Sequence, residues 1–233
     1  MSKTLSFLPR TRAQMAERGW DVLDVLLVTG DGYIDHPSFC GAAIGRLLEA
    51  EGWRVGILDV PELDDADGNS GWERLPAPRL FVGVSAGTID SMVTNYTAAK
   101  HRRRVDVYRP SGLPGRPNRS TIAYTSKARH HFPGVPVRIG GLEAGPRRLA
   151  YFDYWDEKIR RSMLVDAKAD LLVWGMGERQ VLEIARRLER GESLTGLGGT
   201  CELAKEPPAG ARIVPAYEDI AEDVQRLIPL FHA

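Results

Sequence analysis

The sequence predicts an α/β protein with a doubly wound, mostly parallel sheet of five strands. Three observations lead there. Short apolar runs rich in β-branched residues recur along the chain, patterns with helical spacing separate them, and each run ends in glycine or a small polar residue. Together these are the marks of parallel βαβ units.

The first run, residues 22–29, opens into Thr29-Gly-Asp-Gly-Tyr33, with Asp35 and His36 close behind. Pro37 and Ser38 suit the first turn of a helix. Residues 41–52 then place Ile44, Leu47 and Leu48 on one helical stripe, and Gly52 is a natural C-terminal stop. The second run covers 54–60 and ends beside Asp59. The third, 80–85, leads into Ser85-Ala-Gly87. The fourth, 135–139, precedes Gly140-Gly-Leu-Glu143. The fifth, 171–174, precedes Gly175-Met-Gly-Glu178, and residues 178–188 repeat the helical stripe with Val181, Leu182, Ile184, Ala185 and Leu188.

Five parallel strands joined by right-handed crossovers give a flavodoxin-like, Rossmann-like order, and such sheets bind ligands beyond the carboxyl ends of their strands. The candidate cofactor- or ligand-binding residues are therefore in the strand-end loops. They are Thr29, Gly30, Asp31, Asp35 and His36 after the first run, and Ser85, Ala86, Gly87 and Asp90 after the third. After the fourth come Gly140, Gly141 and Glu143, and after the fifth Gly175, Gly177 and Glu178. Glycines here would let a ligand approach the backbone closely, but they also make the tight turns that any βα unit needs.

One stretch breaks the alternation. Residues 100–120 carry Lys100, Arg102, Arg103, Arg104, Arg109, Arg116 and Arg119 against the single acid Asp106, with three prolines and two glycines. It reads as a long basic loop, either solvated or docked on an acidic neighbouring domain. Tyr108 is its lone aromatic, which gives little basis for a stacking platform for nucleic acid.

Composition narrows the function classes. With 31 basic and 31 acidic residues in 233, no overall field draws the chain to nucleic acid or a membrane. Hydrophobic residues at 43% and charged residues at 27% are globular values, which excludes a disordered or fibrous chain. No apolar stretch approaches a membrane span or a signal peptide, so the expected location is the cytoplasm and no membrane partner is expected. Two cysteines, Cys40 and Cys201, cannot build a disulfide framework, a four-cysteine zinc site or an iron–sulfur ligand set.

The sharpest catalytic alternative is Gly83-Val-Ser85-Ala-Gly87, which matches the G-x-S-x-G nucleophile elbow at a strand end. A serine hydrolase would also need a downstream acid and then a histidine, and the candidate acids Asp153, Asp156, Asp166 and Asp170 are followed only by His232 near the terminus. Ser85 also suits a helix cap or a ligand contact. A dinucleotide fingerprint is not completed, because neither Gly30-Asp-Gly32 nor Gly175-Met-Gly177 closes with the third glycine. His36 and Cys40, with Asp31 and Asp35, could be drawn as a metal site, but capping by Asp35 and Ser38 and burial of Cys40 explain the same residues, so no metal is expected.

Several segments together resemble one family. They are the stretch from Gly30 to Phe39, Gly45-Arg-Leu-Leu-Glu-Ala50, Gly83-Val-Ser-Ala-Gly87 with Asp90-Ser-Met92 and Asn95-Tyr-Thr97, Gly140-Gly-Leu-Glu-Ala144 with Arg147-Arg148, Tyr151-Phe-Asp-Tyr-Trp155, and Gly175-Met-Gly-Glu178. In this order, over roughly residues 5–200, they resemble the N-terminal domain of YgiQ-type radical SAM proteins. The resemblance implies a cobalamin-binding-like, Rossmann-like domain that precedes a radical SAM core. In the family that core holds a 4Fe-4S cluster through a C-x-x-x-C-x-x-C motif and cleaves S-adenosylmethionine, so cluster and S-adenosylmethionine are expected only in the core. This chain alone lacks the clustered thiolates and is not expected to be catalytic.

The resemblance also shapes the remaining expectations. Residues 1–204 form the Rossmann-like domain with its basic insertion at 100–120, and residues 205–233 form a connector and C-terminal helix with Val224, Leu227, Ile228 and Phe231 on one stripe. Cobalamin is allowed by the resemblance but not required, because the base-off motif D-x-H-x-x-G around His36 would need aspartate in place of Ile34 and glycine in place of Phe39. The expected partners are a radical SAM core domain or subunit and a small-molecule ligand. Arg147 and Arg148, after the Gly140 loop, and the 100–120 insertion are expected to supply cationic docking contacts.

Overall fold

The computed structural model describes residues 6–34, 39–63 and 70–232. A short helix α1 (Arg12–Glu17) precedes β1 (Leu23–Thr29), and α2 (Cys40–Ala50) leads into β2 (Val55–Asp59). A 3-10 turn at Trp72–Arg74 precedes β3 (Pro78–Ser85), followed by α3 (Ser91–Asn95), α4 (Ser120–His131), β4 (Val137–Ile139) and α5 (Gly141–Ala144). A second 3-10 turn, Gly145–Arg147, leads to a hairpin of β5 (Tyr151–Asp153) and β6 (Lys158–Arg160). Then come α6 (Met163–Asp166), β7 (Leu171–Val173), α7 (Glu178–Glu189), β8 (Thr200–Cys201), α8 (Tyr217–Glu222) and a last 3-10 stretch, Val224–His232.

The main sheet runs β2-β1-β3-β4-β7-β8. Its first five strands are parallel, the expected order, while β8 pairs antiparallel to β7 through two residues, a strand too short to leave a periodic signal. All seven residues of β1 and all five of β2 are buried, as expected for parallel strands covered on both faces. Along one face Leu26, Val28, Val82, Val84, Val137 and Ile139 pack with Tyr124 and Ala128 of α4 and with Leu164 of α6. Along the other, Val25, Leu27, Val55, Ile57, Leu171 and Val173 meet Leu48 of α2 and Ile184 and Ala185 of α7. Each such side chain contributes roughly 1.5–3 kcal/mol, so this two-sided core is the main source of stability.

The two helices with apolar stripes form as expected, and α2 stops where Gly52, at φ +100°, lets the Gly52 and Trp53 amides reach back to Glu49 and Leu48. By contrast, the buried face of α4 is Ser120, Thr121, Tyr124, Thr125 and Ala128, a mostly polar set that hides the helix from a hydrophobicity pattern. No helix among the described residues is long and apolar enough to cross a membrane. Ile220 of α8 is fully buried, whereas Val224 and Ile228 beyond it are exposed.

The register fixes the working edge. Thr29 stands opposite both Asp59 and Ser85, Val84 opposite Ile139, and Ile139 opposite Leu172. The loops after β1, β3, β4 and β7 therefore leave the sheet from the same edge, at nearly the same level.

Candidate functional site at the strand-end edge

At the carboxyl ends of β1 and β3 the predicted loops meet and are held by a residue from the insertion. Arg116 reaches in with its side chain fully buried. Its Nη2 lies 2.7 Å from Asp31 Oδ1, its Nε donates to Asp106 Oδ2 at 2.9 Å, and its Nη1 donates to the Ala86 carbonyl at 2.5 Å. The Thr88 amide donates to the other Asp31 oxygen at 2.5 Å, and the Gly32 amide donates to the Tyr108 carbonyl at 2.7 Å. Burial works against the Arg116 charge, but the hydrogen bonds and charges of Asp106 and Asp31 outweigh it and raise the guanidinium pKa above its usual value.

This geometry corrects the expectation of a basic insertion turned outward. Arg116 pairs with Asp31 and Asp106, Arg109 with Glu62, Arg119 with Asp153 and Asp156, and Lys100 with Glu157. Only Arg102, Arg103 and Arg104 of the seven cations are exposed. Apart from Asp106, the acids that pair with the insertion lie elsewhere in the chain, on the loops after β1 and β2 and on the β5–β6 hairpin. The hairpin is clasped further by the Tyr154 hydroxyl, which donates to the Ala98 carbonyl, and by the Tyr96–Trp155 ring contact.

The next loop is organised by a buried carboxylate. Glu143, 2% exposed, accepts from the Ser91 amide through Oε2 and from the Thr121 amide through Oε1, both at 2.8 Å. One side chain thus caps the first turns of α3 and α4. Asp90 caps α3 as well, accepting from the Met92 and Val93 amides, and pairs with Arg147. Arg147 also donates to the Glu143 carbonyl and lies over the Tyr151 ring, while Arg148 lies 4.6 Å over the Trp174 ring. Burial pushes the Tyr151 hydroxyl up to about 12.

The structure divides the predicted residues. Thr29, Gly30, Asp31, Ala86 and Gly87 are buried in the Arg116 cluster. Glu143 is enclosed beneath α3 and α4. Ser85, Asp90, Gly140, Gly177 and Glu178 are half-buried, and Gly141 and Gly175 are exposed. Asp35 and His36 lie outside the described residues. Around the exposed glycines stand three apolar side chains, Leu142 at 59%, Trp174 at 39% and Met176 at 80% exposure. A Cβ at Gly175 would meet nothing within 4 Å. The sequence reading placed Trp174 in the fifth strand, whereas β7 ends at Val173. An aromatic followed by Gly-Met-Gly beyond a strand was the available signal. Burial of Arg116 had none.

The alternative chemistry at Ser85 lacks its geometry. Ser85 ends β3 without a left-handed φ, and α3 begins only at Ser91, so no sharp strand-to-helix turn lifts the hydroxyl. The side chain of His232, the histidine that order needs, lies outside the described residues; among those described, no hydrogen bond joins Ser85 to a histidine, and no group of three or more His, Cys, Asp or Glu could hold a metal ion. Burial pushes the Cys201 thiol up, away from a reactive thiolate.

Fold and edge define a Rossmann-like α/β domain whose strand-end edge is filled on one side by its own side chains and open on the other. The chain belongs to the Radical SAM N-terminal family, whose model matches residues 7–233. It is 49% identical to a UPF0313 protein of Thermotoga petrophila over 94% of this chain and 39% of that one. A UPF0313 protein of Geobacter sulfurreducens is 47% identical over 97% of this chain and 38% of its own length, and one of Pseudomonas aeruginosa 48% over 88% and 27%. The chain thus spans well under half the length of these relatives. Among solved structures it is similar in fold to the radical S-adenosylmethionine methyltransferase TsrM of Kitasatospora setae, solved with cobalamin and a [4Fe-4S] cluster bound. That match has a TM-score of 0.52 and 18% identity, over 79% of this chain and 29% of that one. The same enzyme with tryptophan and an S-adenosylmethionine analogue gives 0.51 and 20%.

Proposed function

We propose that this chain is the accessory domain of a radical SAM protein, and that the open half of its strand-end edge faces the radical SAM core. The reading rests on one observation: Trp174 and Met176, beside Leu142 and the exposed Gly141 and Gly175, leave an apolar surface at the carboxyl ends of β4 and β7. In open parallel sheets that edge is the one that meets ligands. A small molecule held between Ser85, Gly140, Gly141, Gly175, Gly177 and Glu178 would then lie at the boundary with the core. Cluster and S-adenosylmethionine belong to the core, and this domain contributes placement. Of the two expected cationic contacts, Arg148 is the better placed, because Arg147 is tied to Asp90.

The test supplies the radical SAM core of the Geobacter relative as a separate polypeptide and measures its binding to this chain at low and moderate salt. Trp174→Ala with Met176→Ala should weaken binding by about tenfold or more, because large exposed anchors dominate such surfaces. Arg148→Ala should weaken it chiefly at low salt. Binding indifferent to all three substitutions would overturn the reading.

A further inference from the structure

In this strand order the crevice between the carboxyl ends of β1 and β3 is the topological switch point, where a cofactor would enter a sheet of this kind. A solved structure of similar fold holds cobalamin, and the contents of that crevice decide whether this chain has room for it there.

Two glycines face each other across it, Gly30 after β1 and Gly87 after β3, as a cofactor cradle would require. Neither opens onto free space. A Cβ at Gly30 would lie 2.3 Å from the Ala86 carbonyl oxygen and 2.5 Å from Arg116 Nη1. A Cβ at Gly87, whose φ is +120°, would lie 2.1 Å from Asp31 Oδ1. Gly30 is needed to admit the Ala86 carbonyl and the Arg116 side chain, and Gly87 to admit the Asp31 carboxylate. Between the two banks the Arg116 guanidinium has a protein partner at every nitrogen: Asp106 at Nε, Ala86 at Nη1, Asp31 and Asp106 at Nη2. The side chains of Asp31 and Asp106 are 1% and 3% exposed; the Thr88 amide donates to Asp31 Oδ2 and the Tyr108 amide to Asp106 Oδ1, while Asp31 Oδ1 is held by the Arg116 ion pair alone. Asn95 holds the Arg116 carbonyl from behind.

We infer that Arg116 is the built-in occupant of the β1/β3 switch point, and that cobalamin does not fit there. To enter, a corrinoid would have to displace a paired guanidinium and leave Asp31 and Asp106 buried without a counter-charge, a state that buried ion pairs strongly resist. The insertion at 100–120 therefore ties the β1 and β3 loops together from within this chain. The inference is independent of the docking surface, which lies on the β4 and β7 side.

The experiment treats the whole chain with phenylglyoxal and reads arginine modification by peptide mass, with and without excess hydroxocobalamin, followed by gel filtration. Arg79 and Arg226, with side chains 53% and 54% exposed, serve as internal references. Arg116 should react at least about tenfold more slowly than they do, in both conditions, as expected for a group reached only by local opening. No corrinoid absorbance should elute with the protein. Arg116 reacting as fast as the references would overturn the inference. So would co-eluting corrinoid that brings Arg116 into reaction. Co-elution with Arg116 still protected would place the corrinoid elsewhere and leave Arg116 as the occupant.

Discussion

Arg116 and Asp31 form a buried ion pair 2.7 Å apart, joining the insertion after β3 to the loop after β1. Asp106 holds the same guanidinium from the other side. Arg116→Ala should therefore destabilise the protein by roughly 3–5 kcal/mol, because it strands two buried carboxylates. Adding Asp31→Asn and Asp106→Asn should recover part of that loss if stranded charge, and not lost packing, is the cause. Urea unfolding of the single and triple variants decides, and a loss of less than about 1 kcal/mol for the single variant would mean that the cluster is not closed.

Glu143 couples two helices through one carboxylate. Glu143→Ala should cost roughly 2 kcal/mol, about 1 for each helix start it leaves uncapped, and lower the helical circular dichroism. Glu143→Gln retains one acceptor oxygen but turns an amide NH2 toward a backbone N–H, so it should fall between wild type and alanine. Equal stability of all three would show that the two amides find other partners.

Asp24 sits buried at the start of β1 against Arg54 and Arg79. Burial alone would push its carboxyl up, but the hydrogen bonds from Arg54 and Arg79 hold it at about 2. A folded-state pKa below the unfolded value adds stability that is fully present above the unfolded pKa, near 4, and is lost as pH falls toward about 2. Asp24→Asn should lose roughly 1–2 kcal/mol at pH 7 and show a flatter stability profile below about pH 4. A profile parallel to wild type in that window would remove Asp24 as its source.

Two glycines with positive φ make a controlled comparison. Gly175, at φ +73° with open space around it, should tolerate alanine at a cost of about 1 kcal/mol, the backbone penalty alone. Gly87→Ala adds a collision with the Asp31 carboxylate and should cost at least about twice as much. Equal losses would mean that the Asp31 side chain moves aside freely.

The parallel sheet, α2 and α7 were legible because their apolar residues follow regular periods, as Ile184 and Ala185 do on α7. The shared strand-end edge was legible for the same reason, since strands that run parallel all end at one edge of the sheet. The interior of that edge was not. Arg116 looks like any other arginine in a glycine- and proline-rich loop, and nothing local reports that its partners are Asp31 and Asp106. Asp31 and Glu143 stand at strand ends and so read as ligand contacts, whereas their partners in the structure are Arg116 and the starts of two helices. The β5–β6 hairpin went unread because Tyr151 to Asp153 and Lys158 to Arg160 are three residues each, and what holds them is ion pairing of Asp153 and Asp156 with Arg119 and Arg160.

In the proposed arrangement the open half of the strand-end edge meets the radical SAM core. Amide hydrogen exchange on this chain, free and with the Geobacter relative's core added as a separate polypeptide, tests it most directly. Complex formation should slow exchange several-fold at residues 140–143 and 174–178, while 30–32, already enclosed by the insertion, change little. Protection confined to the opposite edge of the sheet, at residues 52–54 and 134–136, or binding that leaves both strand-end loops unprotected, would contradict it.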